Sequence, residues 1–207
     1  MTRAIDLAMQ TAGLVWPRPP VGAVIVKNGH VVGTGHTARD PGPHAEITAL
    51  ERAREAALGS TMYVTLEPCN HFGSTPPCTN AIIDAGINEV VFGIEDPNPL
   101  VNGAGIKHLE MAGVVVKRVT EKIDSPPVYG LIEGFSHHIR TGRPLVTAKY
   151  AMSLDGKIAT RTRKSQWITG KNARKEAHKL RSRADAVMVG VGTLLSDNPK
   201  LTARFEG

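Results

Sequence analysis

Four residues between positions 44 and 78 carry the side chains best suited to chemistry: His44, Glu46, Cys69 and Cys78. Pro43-His44-Ala45-Glu46 opens a segment of helical period, and Glu67-Pro68-Cys69 closes an apolar, strand-like run. Cys78 follows Pro76-Pro77, which presets the first turn of a next helix. One imidazole and two thiolates at element ends can converge on one point. Zinc takes that donor set in tetrahedral geometry, and three protein ligands leave a fourth position for water. Two thiolates neutralise the ion and soften its Lewis acidity, yet a bound water still loses a proton far more readily than bulk water. Glu46 lies two residues from His44, so the two side chains cannot share a direction on a helix. Its expected place is over the open position, taking a proton from water and passing it to a leaving nitrogen. His71 is available as a fourth ligand, but it sits in a loop two residues past Cys69 and is expected to face substrate instead.

Taken singly, these residues have plain explanations. A histidine at a helix start is usually a cap, and two cysteines are usually small buried hydrophobes. Jointly, His-x-Glu at a helix start and Pro-Cys at a strand end match the arrangement of zinc nucleobase deaminases, in which the glutamate is acid/base and not ligand. A purely structural zinc would want a fourth ligand.

The elements that must position these residues alternate. Ala4, Leu7, Ala8 and Thr11 share a helical face that ends at Gly13. Val21 to Val26, the turn Asn28-Gly29 and Val31-Val32 read as a β-hairpin. His44 to Leu58 has helical period, with Ile47, Leu50, Ala53 and Ala57 on the expected buried face and Gly59 as its stop. Strands are expected at Met62–Leu66, Glu89–Gly93 and Val114–Val116, with helices at Thr79–Ala85 and Gly105–Ala112 between them. This order predicts a mostly parallel sheet covered by helices on both faces. A further helix is expected from Ser125-Pro126-Pro127 to His138, then a linker at Arg140–Pro144. Beyond it come a predicted strand (Leu145–Ala148), a helix (Asn172–Arg183), a second strand (Ala186–Val189) and a helical start after Gly190-Val191-Gly192-Thr193.

Charge separates the same two regions. The chain of 207 residues carries a net +6, but residues 1–141 balance at −3 and residues 142–207 at +9. The basic half therefore predicts an anionic partner, and the acidic half argues against a nucleic-acid surface beside the candidate zinc site. The expected domains are 1–141 and 142–207. No apolar run approaches the roughly 18 residues of a membrane helix. Asp6 and Gln10 interrupt any signal-peptide core, and two cysteines make no disulfide framework, so a cytoplasmic location is expected.

The run Thr65-Leu66-Glu67-Pro68-Cys69, then His71, Gly73 and Thr75-Pro76-Pro77-Cys78, has eight residues between its cysteines where many zinc deaminases have two. With Val21-Gly22-Ala23-Val24-Ile25-Val26, Asp96-Pro97-Asn98-Pro99, Gly103-x-Gly105, Lys149 and Ser153-Leu154-Asp155-Gly156, it resembles the bifunctional riboflavin-biosynthesis deaminase–reductases. Ser165-Gln166-Trp167-Ile168-Thr169, and Thr193 with Asp197-x-Pro199-x-Leu201-Thr202-x-Arg204, extend the resemblance over nearly the whole chain.

The resemblance implies a cytidine-deaminase-like three-layer α/β/α domain with a mixed sheet, followed by the beginning of a dihydrofolate-reductase-like α/β domain. It implies hydrolytic deamination of 2,5-diamino-6-ribosylamino-4(3H)-pyrimidinone 5′-phosphate, with His44, Cys69 and Cys78 on Zn²⁺ and Glu46 as proton carrier. It further implies NADPH-dependent reduction of the product's ribosyl group. By position, Ala151, Trp167, Thr193 and Asp197 would touch the dinucleotide, and Ser165, Arg181, Leu201 and Arg204 the substrate. The implied partners are the phosphoribosylated pyrimidine and a second copy of the chain, with no nucleic acid and no membrane. The family's reductase domain is much longer than the 66 residues after position 141, so this chain alone is expected to show no useful reductase activity.

Three positions depart from the family pattern. Arg18 stands between Pro17 and Pro19 where the family has an asparagine whose amide meets the pyrimidine, and a guanidinium offers donors only. Ser74 stands in place of an arginine, and Ile132 in place of an asparagine. The first two bear on substrate choice, which keeps two alternatives: a related zinc nucleobase or nucleoside deaminase of other substrate, and a non-catalytic zinc-folded nucleotide-binding domain.

Overall fold

The computed structural model describes residues 1–73, 75–99, 101–119 and 128–204; Ser74 and Ser125-Pro126-Pro127 lie outside them. Asn28 and Gly29 both take positive φ, 50° and 78°, the backbone of a two-residue hairpin turn whose twist matches its strands. β1 (Gly22–Lys27) and β2 (His30–His36) accordingly pair antiparallel. β1 pairs antiparallel with β3 (Thr61–Leu66) on its other side. From there β3, β4 (Glu89–Ile94) and β5 (Val115–Arg118) run parallel, in the order β2-β1-β3-β4-β5. The sheet is thus evenly mixed rather than mostly parallel. β2 and β3 form an ordinary parallel crossover, and the hairpin partner β1 has taken the slot between them.

Strand register assigns the faces. Ala23, Ile25, Met62, Val64, Val90 and Phe92 are cross-strand neighbours on one face, all buried. That face is covered by α2 (Ala45–Ala53), α3 (Cys78–Asp84) and α4 (Ala104–Met111). The opposite face, with Gly22 and Val24, carries α1 (Thr2–Met9), which packs on α5 (Tyr129–Thr141). Helices on both faces of one sheet make a three-layer α/β/α unit.

The buried face over residues 44–58 matches the periodicity in part: Ala53 and Ala57 are buried as expected, with Ala45 and Ala49 beside them, whereas Ile47 and Leu50 are half-buried. Gly33 and Gly35 of β2 are the cause: a Cβ on Gly35 would lie 2.0 Å from the Ala45 carbonyl oxygen, and one on Gly33 2.3 Å from that of Ala49. The helix backbone lies directly on the strand, so only the small residues fit beneath it. The helix also stops earlier than expected, because Arg54 adopts φ 50° and the chain continues as a 3-10 turn over Arg54–Ala57. α5 runs three residues past His138 to a left-handed cap at Gly142, so part of the expected linker is helical.

The chain divides into two compact units, Met1–Leu145 and Val146–Gly207. The second contains α6 (Lys171–Arg183) and α7 (Val191–Asp197). The predicted strands Leu145–Ala148 and Ala186–Val189 are absent there: among the described residues neither run is part of a sheet. Without a neighbouring ladder Val146 and Met188 are exposed, and Val187 and Val189 only half-buried. No helix among the described residues is long and apolar enough to cross a membrane.

The backbone contact at Gly35 generates a prediction. Gly35→Ala should push α2 off the sheet and lower stability by about 1–3 kcal/mol, readable by urea denaturation.

Candidate metal centre and its cavity

β2, β3 and β4 point the same way, so their carboxyl ends share one edge of the sheet, together with the amino end of the antiparallel β1. The helices that follow start at that same edge. His44 caps α2 with extended backbone (ψ 163°), Cys69 follows β3 by three residues, and Cys78 is the first residue of α3. Pro77 acts as the N-cap of α3 instead of entering its first turn.

His44 Nδ1 lies 3.3 Å from Cys78 Sγ and 3.6 Å from Cys69 Sγ. The three donor atoms all fall within 4.8 Å of one another. Tetrahedral zinc with bonds of about 2.3 Å to sulfur and about 2.0 Å to nitrogen would set sulfur and nitrogen about 3.5 Å apart. The donor set and its spacing therefore fit zinc. Local hydrogen bonds hold the two cysteine turns together: Cys78 N–H donates to Cys69 Sγ (3.4 Å) and Thr79 N–H to the Cys69 carbonyl (3.2 Å). Asn70 joins them, accepting from the Thr79 hydroxyl at 2.8 Å.

Within the group the Cys78 thiol keeps its proton and shares it with Cys69. The hydrogen bond from the Cys78 thiol holds Cys69 down at about 4, and the same bond with burial pushes Cys78 up. His44 is raised, chiefly by its hydrogen bond with Cys69. Burial pushes Glu46 up to about 7, with the Cys69 charge adding to it. A dication would displace the shared proton, as metal binding to thiols generally does.

Glu46 is 4% exposed and stands outside the three-donor group, yet it lines the same cavity. That cavity measures about 250 Å³, and His44, Cys69, His71, Arg18 and Asp96 all line it. His71 is exposed at the surface of the loop and is not one of the clustered donors. Arg18 is engaged with the neighbouring loop, donating to the Gly42 carbonyl (2.5 Å) and pairing with Asp40. Thr37 ties the same two loops, accepting from Val21 N–H (2.9 Å) and donating to the Pro19 carbonyl (3.1 Å). Arg18 is thus a wall of the cavity and a brace for the segment that leads into His44.

One buried group had no role in the residue reading. Glu67 is 2% exposed and accepts three backbone N–H groups, from Asp96 (3.2 Å), Gly103 (3.1 Å) and Gly105 (3.2 Å). A charged residue placed between an apolar strand and Pro68-Cys69, with Gly103-x-Gly105 downstream, was the available signal.

In the second unit, Ser165, Thr193, Asp197 and Arg204 are exposed, and Ala151, Arg181 and Leu201 half-buried. Trp167 is 69% exposed and carries the Arg174 guanidinium 4.2 Å from its ring centroid, a cation–π pair. α6 gathers the last segment: Arg181 donates to the Thr202 carbonyl (3.5 Å), and Arg204 N–H to His178 (3.1 Å). Thr193 and Asp197 are four residues apart on α7.

Fold and site define a zinc-binding domain of the deaminase class. The family described as the cytidine and deoxycytidylate deaminase zinc-binding region matches residues 1–94, and the RibD C-terminal domain matches residues 144–207. The riboflavin biosynthesis protein RibD of Aquifex aeolicus is 49% identical over 205 residues, covering 99% of this chain and 57% of its own length. That of Escherichia coli is 43% identical, covering 99% and 55%. A solved Thermotoga maritima diaminohydroxyphosphoribosylaminopyrimidine deaminase/5-amino-6-(5-phosphoribosylamino)uracil reductase superposes with a TM-score of 0.89 at 45% identity, over 99% of this chain and 58% of its own. Acinetobacter baumannii RibD gives 0.87 at 41%, over 98% and 56%. Over nearly its whole length the chain is similar to the RibD riboflavin biosynthesis proteins, and it spans a little over half the length of these relatives.

The two cysteines should differ in reactivity. Cys69 lines the cavity at 9% exposure, whereas Cys78 is at 0%. In chelator-treated protein at neutral pH, iodoacetamide should label Cys69 well before Cys78, and added zinc should protect both, as read by peptide mass spectrometry.

Proposed function

We propose that residues 1–141 form a zinc-dependent deaminase domain acting on 2,5-diamino-6-ribosylamino-4(3H)-pyrimidinone 5′-phosphate, and that residues 142–207 belong to an NADPH-dependent reductase domain. The observation that carries the first part is the placement of buried Glu46 on the same cavity as the His44–Cys69–Cys78 group. In this reading those three residues hold Zn²⁺, which when bound supplies Lewis acidity and makes water a stronger acid.

Hydrolytic deamination adds water at the ring carbon that bears the exocyclic amine and expels ammonia. One proton must leave the attacking water and one must reach the departing nitrogen. Glu46 serves both transfers through its carboxyl oxygens: it accepts the first proton and donates it to the amine nitrogen as the carbon–nitrogen bond breaks. Burial suits it to this work, because it strengthens the carboxyl's hold on a proton relative to an ordinary carboxylate. The cavity walls exclude bulk water and orient the ring. Arg18 presents donors only, so the edge of the substrate that meets it carries acceptors.

For the second part, support comes from the match of residues 144–207 to the RibD C-terminal domain and from the +9 balance of residues 142–207. Both expected ligands, a dinucleotide phosphate and a ribose phosphate, are anions that such a surface attracts. Ala151, Trp167, Thr193 and Asp197 are assigned to the dinucleotide, and Ser165, Arg181, Leu201 and Arg204 to the substrate. Free rather than bridged cysteines suit a reducing, cytoplasmic setting for the zinc site.

The test pairs metal analysis with ammonia release from the pyrimidine phosphate. Wild-type protein should contain zinc and release ammonia, and Glu46→Gln should keep its zinc while losing at least about 10²-fold in turnover. Unchanged turnover in that variant would sink the proposal.

A further inference from the structure

The three N–H groups on Glu67 come from residues 29 to 38 positions further along the chain, and none belongs to the strand that carries it. Asp96 N–H starts the loop that forms one wall of the cavity. Gly103 is the N-cap of α4, with φ 77°, and Gly105 lies in its first turn. A carboxylate has only acceptor atoms, and here both of its oxygens meet donors at the positive end of an eight-residue helix. Gly105 shows how close the contact is: a Cβ there would lie 2.1 Å from the Pro68 carbonyl oxygen and 3.3 Å from Glu67 Oε1.

The clasp closes on the turn that delivers Cys69. Pro68 and Cys69 follow Glu67 directly, and the next residue, Asn70, donates to the Ala104 carbonyl at 3.5 Å. Asn70 also accepts from Thr79, one residue past Cys78. Residues 67–70 are therefore gripped from below by the start of α4 and from the side by the start of α3.

We infer that Glu67 is the positioning residue of this centre: by clasping the start of α4 and the Asp96 loop, it fixes Cys69 for the metal and the Asp96 part of the cavity lining for the substrate. It is not one of the clustered donors, and although it also lines the cavity its carboxylate oxygens are taken by backbone N–H groups, so it acts through Cys69 and Asp96. The inference rests on the reading of His44, Cys69 and Cys78 as zinc ligands. It goes beyond that reading by separating tight metal binding from the ligand side chains themselves.

Glu67→Gln keeps the shape but turns an N–H₂ group toward backbone N–H donors. In the full chain, competition with a zinc chelator should show affinity lowered about 10- to 100-fold, the range found when groups that orient metal ligands are altered. Zinc-saturated Glu67→Gln should show a raised KM with kcat close to wild type, because Glu46 and the ligands are intact. Wild-type zinc affinity and KM accompanied only by a lower melting temperature would mean a purely structural role and overturn the inference. A wild-type chain that binds no zinc would overturn the ligand reading and this inference with it. If Glu67→Gln does not fold, amide hydrogen exchange of the wild-type chain decides. Stripping zinc should speed exchange at Asp96, Gly103 and Gly105, since coupling between metal and clasp is reciprocal. Unchanged exchange at those amides would overturn the inference.

Discussion

The positions of His44 and Glu46 depend on one close contact, the backbone of α2 lying on β2 without side chains between them. Gly33 and Gly35 make that possible, and Ala45, Ala49 and Ala53 complete it from the helix side. A larger residue at any of these places would lift the helix and move its first residue, and the chain reaches the site through His44 at that point. Packing at native density leaves little room for such a shift to be absorbed elsewhere.

The same edge of the sheet collects the rest. Because β2, β3 and β4 are parallel, each hands the chain over to a loop at their common carboxyl ends, and α2, α3 and α4 begin there. Ligands of open α/β sheets are generally found outside the carboxyl ends of the strands. Here the antiparallel β1 adds the loop before it, bringing Arg18 to the cavity. The positive ends of the eight- and nine-residue helices α4 and α2 face acidic side chains, Glu67 and Glu46. The fold thus sets one buried carboxyl to hold the frame and leaves another on the cavity.

Much of this was readable from local pattern. Asn28-Gly29 announced the hairpin because few other dipeptides accept two positive φ values in succession. His44, Cys69 and Cys78 stood out together because their side chains have few other reasons to sit at element ends, and the structure brings their donor atoms within 4.8 Å. Glu67 was not readable in the same way: its partners are 29 to 38 residues distant, and a glutamate beside a strand end is ordinarily solvated. The buried face of α2 and the turn after it was legible only in part, at Ala53 and Ala57, for a related reason. Hydrophobic periodicity ranks Ile47 and Leu50 above alanine, but close approach to a glycine-bearing strand selects for small size instead. The runs Leu145–Ala148 and Ala186–Val189 have strand composition, yet a strand exists only where a ladder forms, and none forms on them among the described residues.

By itself, then, the sequence determined the element types along the first 119 residues, the hairpin turn, the donor set that suits zinc, and the change of charge near position 141. All of these follow from residue type and short spacing. Only the tertiary structure decided which strand sits between β2 and β3, which face of α2 is buried, and what Glu67 holds. Those outcomes depend on contacts between residues far apart in the chain, where the approach of one backbone to another outweighs local preference.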